Sequence, residues 1–167
     1  MIDLTPDCEK CAGLCCLALA IDKSEQFSFD KPAGTPCRHL RRDFRCAIHK
    51  DLAALGCEGC VSYSCEGAGQ RVIQEVFSGQ NWQNDPALMR PMQEAFHSLC
   101  KLHRLLGLLS TAGTLPLPEG KMEVLEGLAN RLGQKRWTRN QLEAFERSDL
   151  AESVSRFLQS LRDDLPN

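Results

Sequence analysis

Hydrophobic residues recur at steps of three and four positions through much of the chain after residue 70. The first regular stretch covers residues 86–110, where apolar positions line one side of a helical projection and charged positions line the other. This pattern predicts an amphipathic helix. Asp85 is its predicted N-cap, because an aspartate side chain accepts hydrogen bonds from free N–H groups of the first turn, and Pro86 suits the first helical position. The predicted inward-facing residues are Met89, Met92, Phe96, Leu99, Leu102, Leu106 and Leu109.

The same periodicity predicts two further helices closer to the C-terminus. Residues 111–118 are rich in helix breakers, and a second helix is predicted at Glu119–Leu132 with Gly133 as its C-cap. A third helix is predicted over residues 138–161. Helices of this length joined by short turns pack as a bundle around their apolar faces. Residues 71–167 are therefore predicted to form a three-helix bundle.

The first part of the chain differs, because it holds nine of the ten cysteines. Cys8-x2-Cys11 and Cys57-x2-Cys60 have a spacing typical of metal chelation by thiolates, in which backbone N–H groups of the spacer point at the sulfurs. Gly59, inside the second pair, is predicted to adopt a positive φ angle in the turn. The predicted metal ligands are nine thiols and one imidazole: Cys8, Cys11, Cys15, Cys16, Cys37, Cys46, His49, Cys57, Cys60 and Cys65.

These patterns together predict a mainly α chain with two domains. Residues 1–70 form a small, irregular Cys-rich module stapled by metal, and residues 71–167 form the helical bundle. The module has few large apolar residues, so chelation is expected to supply most of its stability.

A disulfide framework is the alternative explanation for so many cysteines, and the sequence does not favour it. Residues 1–7 lack the basic and apolar segments of a secretory signal, so a reducing cytoplasm is the expected compartment. The adjacent Cys15 and Cys16 direct their side chains apart and therefore serve different ions more readily than one. The ten predicted ligands also exceed those of two tetrahedral zinc sites. Two or more ions are therefore predicted.

Zinc is the favoured metal, because the cysteine spacings match no standard ferredoxin pattern. All-sulfur ligation also suits iron, an iron–sulfur cluster or Cu(I), so the identity of the metal stays open. Cys100 lies among leucines on the first long helix and is predicted to be a small buried hydrophobe. Whether Cys100, His39 or His103 joins the site also stays open.

Three motifs carry a resemblance to a known family. They are Cys8-Glu9-Lys10-Cys11-Ala12-Gly13-Leu14-Cys15-Cys16, Pro36-Cys37-Arg38-His39-Leu40 and Phe44-Arg45-Cys46-Ala47-Ile48-His49. In this order they resemble the YkgJ-type cysteine-cluster family, described as a zinc- or iron-chelating domain. The chain differs from that pattern in having Ala54-Leu55-Gly56 where the family has an Arg-Pro step, and in adding Cys60 and Cys65.

The chain resembles even more closely the N-terminal segment that precedes pentapeptide repeats in some bacterial proteins. This resemblance runs through Phe44-Arg45-Cys46, Gly59-Cys60, Cys65 and Gly67-Ala68-Gly69-Gln70. No five-residue period follows in residues 71–167. The two resemblances imply metal binding and a bacterial cytoplasmic setting, and they imply no reaction.

Charge and motifs exclude several classes of function. Residues 1–70 hold 8 Lys+Arg against 10 Asp+Glu, and residues 71–167 hold 12 against 12, so nucleic acid is not predicted as a partner. No apolar run approaches the length of about 20 residues that crosses a bilayer. No catalytic constellation is recognisable. Four arginines, Arg38, Arg41, Arg42 and Arg45, are expected either to offset thiolate charge or to form a solvated basic loop.

The sequence therefore predicts a metal-binding protein, either structural or engaged in metal handling or sensing. The helical region is expected to contact a protein partner. The alternative is an iron–sulfur protein that acts as a redox or accessory factor to a metalloenzyme.

Overall fold

The computed structural model describes residues 2–164 and is mainly helical, as the sequence predicts. Its helices are α1 (Leu14–Ala18), α2 (Glu58–Ser62), α3 (Ala68–Arg71), α4 (Met89–Ala112), α5 (Glu119–Leu132), α6 (Arg139–Arg147) and α7 (Leu150–Ser160). No sheet forms within these residues, where antiparallel pairing is limited to isolated bridges such as Ile21 with Lys31 and Leu40 with Cys46. None of the helices in residues 2–164 has the length and apolar character needed to span a membrane.

Helix α4 is the centre of the fold and contacts α1, α3, α5, α6 and α7. Its start confirms the predicted cap: the Asp85 carboxylate accepts a hydrogen bond of 3.0 Å from the N–H of Ala87. Pro86 opens a short 3-10 turn, Pro86–Leu88, that leads directly into α4. The cap therefore satisfies a free N–H group where the chain enters the helix.

The third predicted helix is two helices, α6 and α7, because the chain breaks at Ser148 and Asp149. The Ser148 hydroxyl donates to the carbonyl of Phe145 at 2.7 Å and accepts from the N–H of Leu150 at 3.3 Å. A short hydroxyl side chain that bonds to nearby backbone groups competes with the helical ladder. The predicted start is correct, since Thr138 forms a capping box with Gln141.

The main hydrophobic core contains residues from both sides of residue 70. Leu14 and Leu17 of α1 are fully buried and belong to the same cluster as Phe96 and Leu99 of α4. A second, smaller cluster serves the cysteine-rich loops and consists of Ile21, Phe29, Leu52 and Cys57, with Phe27, Cys37, Cys46 and Ile48 packed against it. Packing against α4 therefore stabilises helix α1, whereas most of residues 20–62 pack around the small cluster. The division into domains at residue 70 stays a prediction.

Candidate functional site

All ten cysteines are free thiols, and three of them form a hydrogen-bonded chain. Cys15 and Cys16 lie side by side on α1, and the N–H of Cys37 donates to the carbonyl of Cys16 at 2.9 Å. This backbone bond holds the loop of Cys37 against α1. The Cys16 thiol then lies within hydrogen-bond reach of both the Cys15 and the Cys37 sulfur.

The three thiols differ sharply in acidity. A hydrogen bond from Cys16 lowers the pKa of Cys37 to about 6, with further help from the N–H of His39 and the Lys31 charge. A hydrogen bond from Cys16 also lowers the pKa of Cys15 to about 7, against the effect of burial. The pKa of Cys16 is raised, because its ionisation would break the bonds to its two neighbours and add a third charge. Since Cys16 has a single S–H proton, it stabilises one neighbouring thiolate at a time.

Backbone N–H groups point at several of the sulfurs. The N–H of His39 donates to Cys37, and the N–H of Ile48 donates to Cys46, in each case from the second residue along the chain. The N–H groups of Gly13 and Leu14, the second and third residues along the chain, donate to Cys11. A hydrogen bond to the charged form of a group stabilises that form. These N–H groups therefore stabilise the thiolate form, which is the form that binds metal, although burial outweighs them at Cys11 and Cys46 and raises the pKa of both.

The remaining thiols surround Cys15. The pKa of Cys8 is raised by burial and then by the charges of Cys15 and Cys65. Burial raises the pKa of Cys11 to about 12 and that of Cys60 to about 11, and the charge on Cys15 contributes to both shifts. The pKa of Cys46 is raised by burial, and the charges of Cys37, Cys15 and Cys57 add to the effect. The nine predicted thiols thus share one region of mutual electrostatic repulsion.

Nine of the ten predicted ligands, the thiols, lie in one region, and among the described residues they do not form a coordination shell. Within residues 2–164, no group of three or more His, Cys, Asp or Glu side chains is arranged to hold a metal ion. The closest association among the thiols is the chain of Cys15, Cys16 and Cys37.

Lys31 is a buried cation beside these thiols that the sequence analysis did not single out. It is 5% exposed, and its ammonium group donates to the carbonyls of Leu17, Pro32 and Thr35 at 3.3, 3.1 and 2.9 Å. Burial lowers the pKa of Lys31, and the charges of Cys37, Cys16 and Cys15 oppose that shift. A buried ammonium group next to three thiols offsets the negative charge that they acquire as thiolates.

Of the four arginines expected around the cluster, Arg45 is the one whose charge lowers the pKa of a cysteine, Cys8. It also pairs with Glu9 at 2.9 Å. Arg41 pairs with Asp43, and the Arg38 guanidinium lies 4.4 Å from the centre of the Phe29 ring. The arginines are therefore mainly loop and surface contacts.

The histidines occupy three different environments. His49 is exposed, and within the described residues no contact joins its ring to a thiol. His39 lies closer, since its charge lowers the pKa of Cys37 and its ring packs edge-on against Phe29. His39 is thus the histidine that the fold places beside a predicted ligand.

His103 is fully buried and already uses both ring nitrogens. Nε2 lies 3.0 Å from Nη1 of Arg71, and Nδ1 lies 2.5 Å from the carbonyl of Glu66. Because arginine only donates, Nε2 must accept, and the proton lies on Nδ1. Burial lowers the pKa of His103 and keeps the ring neutral. His103 therefore supports the chain next to Cys65 rather than offering a free metal ligand.

The prediction of a positive φ angle at Gly59 is wrong. Gly59 lies within α2, and the positive φ of 68° belongs to Gly56, directly before Cys57. Gly59 is needed for space, because a Cβ atom there would lie 2.2 Å from Cζ of Phe27. Gly69 has a similar role beside a predicted ligand, since its Cβ would lie 2.6 Å from Sγ of Cys11.

Cys100 is partly buried at the edge of this region. Its sulfur lies 3.8 Å from the Tyr63 hydroxyl and 4.0 Å from the carbonyl of Cys65. Burial raises the pKa of Cys100 to about 12. An open cavity of 270 Å³ lies next to it, lined also by Leu19, His97 and Arg104. The helix therefore approaches the cysteine cluster, although Cys100 stays a neutral thiol at neutral pH.

Comparison with known proteins gives one curated relative and no family assignment. The chain is 46% identical over 110 residues to "Uncharacterized protein YybG" of Bacillus subtilis (strain 168). The aligned segment covers 66% of this chain and 39% of YybG, so the chain spans about two fifths of that relative's length. No family model and no solved structure matches the chain. The resemblance to the YkgJ-type family stays a prediction, and the chain is similar to a segment of YybG.

Proposed function

We propose that this protein binds two or more metal ions, with zinc favoured, through the cysteines of residues 8–65. The observation that carries the proposal is the set of backbone N–H groups directed at the sulfurs of Cys11, Cys37 and Cys46. Such N–H groups stabilise thiolate charge, and outer hydrogen bonds of this kind orient the ligands of metal sites.

The chemistry of the donor set fits zinc. The thiols of Cys16 and Cys37 lie close enough to shift each other's pKa, and thiolates are the ligands that structural zinc prefers, with Zn–S bonds of about 2.3 Å. Zinc would replace the S–H proton that now joins these sulfurs. Modest rotations of the side chains around Cys15 would bring further thiols to the ion. Lys31 would offset part of the resulting negative charge.

The proposed role is structural or metal-handling, in the cytoplasm, with the helical region available to a protein partner. The YkgJ-type resemblance supports metal binding but supplies no reaction. An iron–sulfur cluster that serves a redox or accessory role is the alternative. Free thiols that share one region suit both metals.

Elemental analysis of protein purified anaerobically tests the proposal. We expect roughly two or more zinc ions per chain, because the ligands exceed those of one tetrahedral site. Cys15→Ser should lower the content by about one ion or more, since a hydroxyl does not replace the central soft ligand. Cys100→Ser is the matched control. It should keep the full metal content and cost about 1–2 kcal/mol of stability through a partly buried hydroxyl.

Other results would reject the zinc proposal or change the location of the site. Visible charge-transfer absorption with acid-labile sulfide would establish the iron–sulfur alternative. A metal content near zero in fully reduced protein would remove metal binding altogether. Loss of a full equivalent in Cys100→Ser, with Cys65→Ser normal, would move the site toward α4.

A further inference from the structure

A second concave surface lies on the helical bundle, where the α5–α6 loop meets α6. It is an open basin of 290 Å³ whose apolar floor includes Trp137, Phe145 and Leu150. Arg131, Gln134 and Gln141 line its rim. None of these residues takes part in the cysteine cluster. We call this surface the Trp137 basin.

The floor of the Trp137 basin holds a polar group without a partner. Trp137 is 4% exposed, and its indole Nε1–H has no hydrogen-bond acceptor among the described residues. Trp82, in contrast, donates its Nε1–H to the carbonyl of Ala12 at 2.8 Å. A buried N–H without an acceptor costs about 1–3 kcal/mol. The Nε1 atom has almost no solvent-accessible surface, so an occupant of the basin would bring an oxygen atom to it, and recover that energy, by displacing the side chains that cover it.

Positive charges lie at and beside the rim of the Trp137 basin: Arg131 lines the basin, and Lys135 and Arg136 directly precede Trp137 in the chain. Arg131, Lys135 and Arg136 are exposed, and none of them belongs to an ion pair among residues 2–164. The α5–α6 loop, which carries Lys135 and Arg136, is held from below by Arg71, which donates to the carbonyls of Gln134 and Lys135 at 2.9 and 3.2 Å. Arg131 lies in the last turn of α5, and the other two charges are presented on a preformed loop.

We propose that the Trp137 basin binds an acidic peptide segment of a partner protein. An apolar side chain of the peptide enters the basin, a backbone carbonyl or carboxylate accepts from Trp137, and acidic residues face Arg131, Lys135 and Arg136. Three free cations give too few phosphate contacts for strong binding of nucleic acid, whereas an apolar floor with a charged rim suits a peptide. The proposal does not depend on metal binding.

NMR titration of the full-length protein tests this proposal with synthetic peptides of about 12 residues that carry one central leucine or phenylalanine. An acidic peptide should shift the indole N–H resonance of Trp137 and leave that of Trp82 in place. Binding should weaken about tenfold or more in the double variant Lys135→Glu/Arg136→Glu and at high salt, because rim charges attract the peptide. Arg156→Glu, an exposed substitution on α7, is the charge-matched control and should bind normally.

Four results would overturn the proposal. The first is an unchanged Trp137 indole resonance at millimolar peptide. The second is equal binding of a neutral peptide in which glutamine and asparagine replace the acids. Tighter binding of single-stranded DNA than of the acidic peptide would assign the surface to nucleic acid. A dimer in sedimentation equilibrium that Lys135→Glu/Arg136→Glu dissociates would assign it to a second copy of this chain.

Discussion

Removal of metal with a strong chelator is expected to abolish the hydrogen-exchange protection of residues 20–62 and to leave α1 and the helical bundle protected. Residues 20–62 contain turns, isolated bridges and the short helix α2. Their own core consists of Ile21, Phe29, Leu52 and Cys57. Full burial of one large apolar side chain contributes about 1.5–3 kcal/mol, and a structural zinc contributes about 10–16 kcal/mol. In the proposed metal-bound protein, chelation therefore outweighs packing in this segment.

Helix α1 should behave differently from the loops that follow it, although it carries two of the predicted ligands. Leu14 and Leu17 are fully buried in the main core, and α1 packs on α4. Loss of metal would remove the proposed bonds at Cys15 and Cys16 but would leave this apolar contact in place. The lost protection should therefore be bounded near residues 19 and 62 rather than extend over all of residues 1–70.

Exchange followed by mass spectrometry, with and without chelator under reducing conditions, measures these boundaries. The amides of α4 in the same sample are the internal reference, and readdition of zinc should restore the lost protection. Protection of residues 20–62 that persists in metal-free protein would show that packing alone holds the loops. Loss of protection across α4 and α5 would show that the whole chain folds around the metal.

The helices were predictable because their signals are local. The cap at Asp85 and the capping box at Thr138 each depend on residues within one turn of the helix start. The break at Ser148 was not predicted, since the apolar period continues across it into Leu150 and Val154. A single serine is a weak breaker, and its effect depends on a local competition between its hydroxyl and the helical ladder.

The sequence predicted which cysteines make up the candidate site, but it did not predict how they are arranged in space. Cysteine spacing identified the thiols that share one region. Some of the groups that shift the pKa values of these thiols are distant in sequence and become their neighbours only in the folded chain. Lys31 is buried because the turn of residues 32–35 wraps carbonyls around its ammonium group. His39, not His49, approaches Cys37. Long side chains are usually exposed, so composition gives no hint of such burial.

The hydrogen-bond network around Arg71 joins parts of the chain that are far apart in sequence. A short sequence motif therefore does not reveal this network. Arg71 contacts His103, Gln134 and Lys135, and it forms a two-pronged ion pair with Glu75 at 2.8 Å for both bonds. The only local sign of this network is the spacing of Arg71 and Glu75, one helical turn apart. Exposed pairs have the same spacing, so the sequence does not distinguish a buried pair from a surface pair.

Replacement of Arg71 by methionine is expected to lower the free energy of unfolding by about 3–5 kcal/mol, because it leaves a largely buried carboxylate, a ring nitrogen and two carbonyls without their donor. The side chains of Arg71 and Glu75 are 5% and 24% exposed. Urea denaturation of the metal-loaded protein measures the loss, so the metal content must be equal in the two samples. Arg90→Met is the matched control: Arg90 and Glu94 form the same i,i+4 pair at 2.8 Å with side chains 89% and 60% exposed.

The control variant Arg90→Met should lose no more than about 0.5 kcal/mol of its free energy of unfolding, because a solvated ion pair adds little to stability. The double variant Arg71→Met/Glu75→Leu should recover part of the loss, since it removes the unpaired carboxylate together with its partner. His103 and the two loop carbonyls would still lack their donor, so the recovery should be incomplete. An Arg71→Met variant as stable as Arg90→Met would mean that water replaces the guanidinium at little cost. The network would then be an incidental contact and would not hold Glu66, α4 and the α5–α6 loop together.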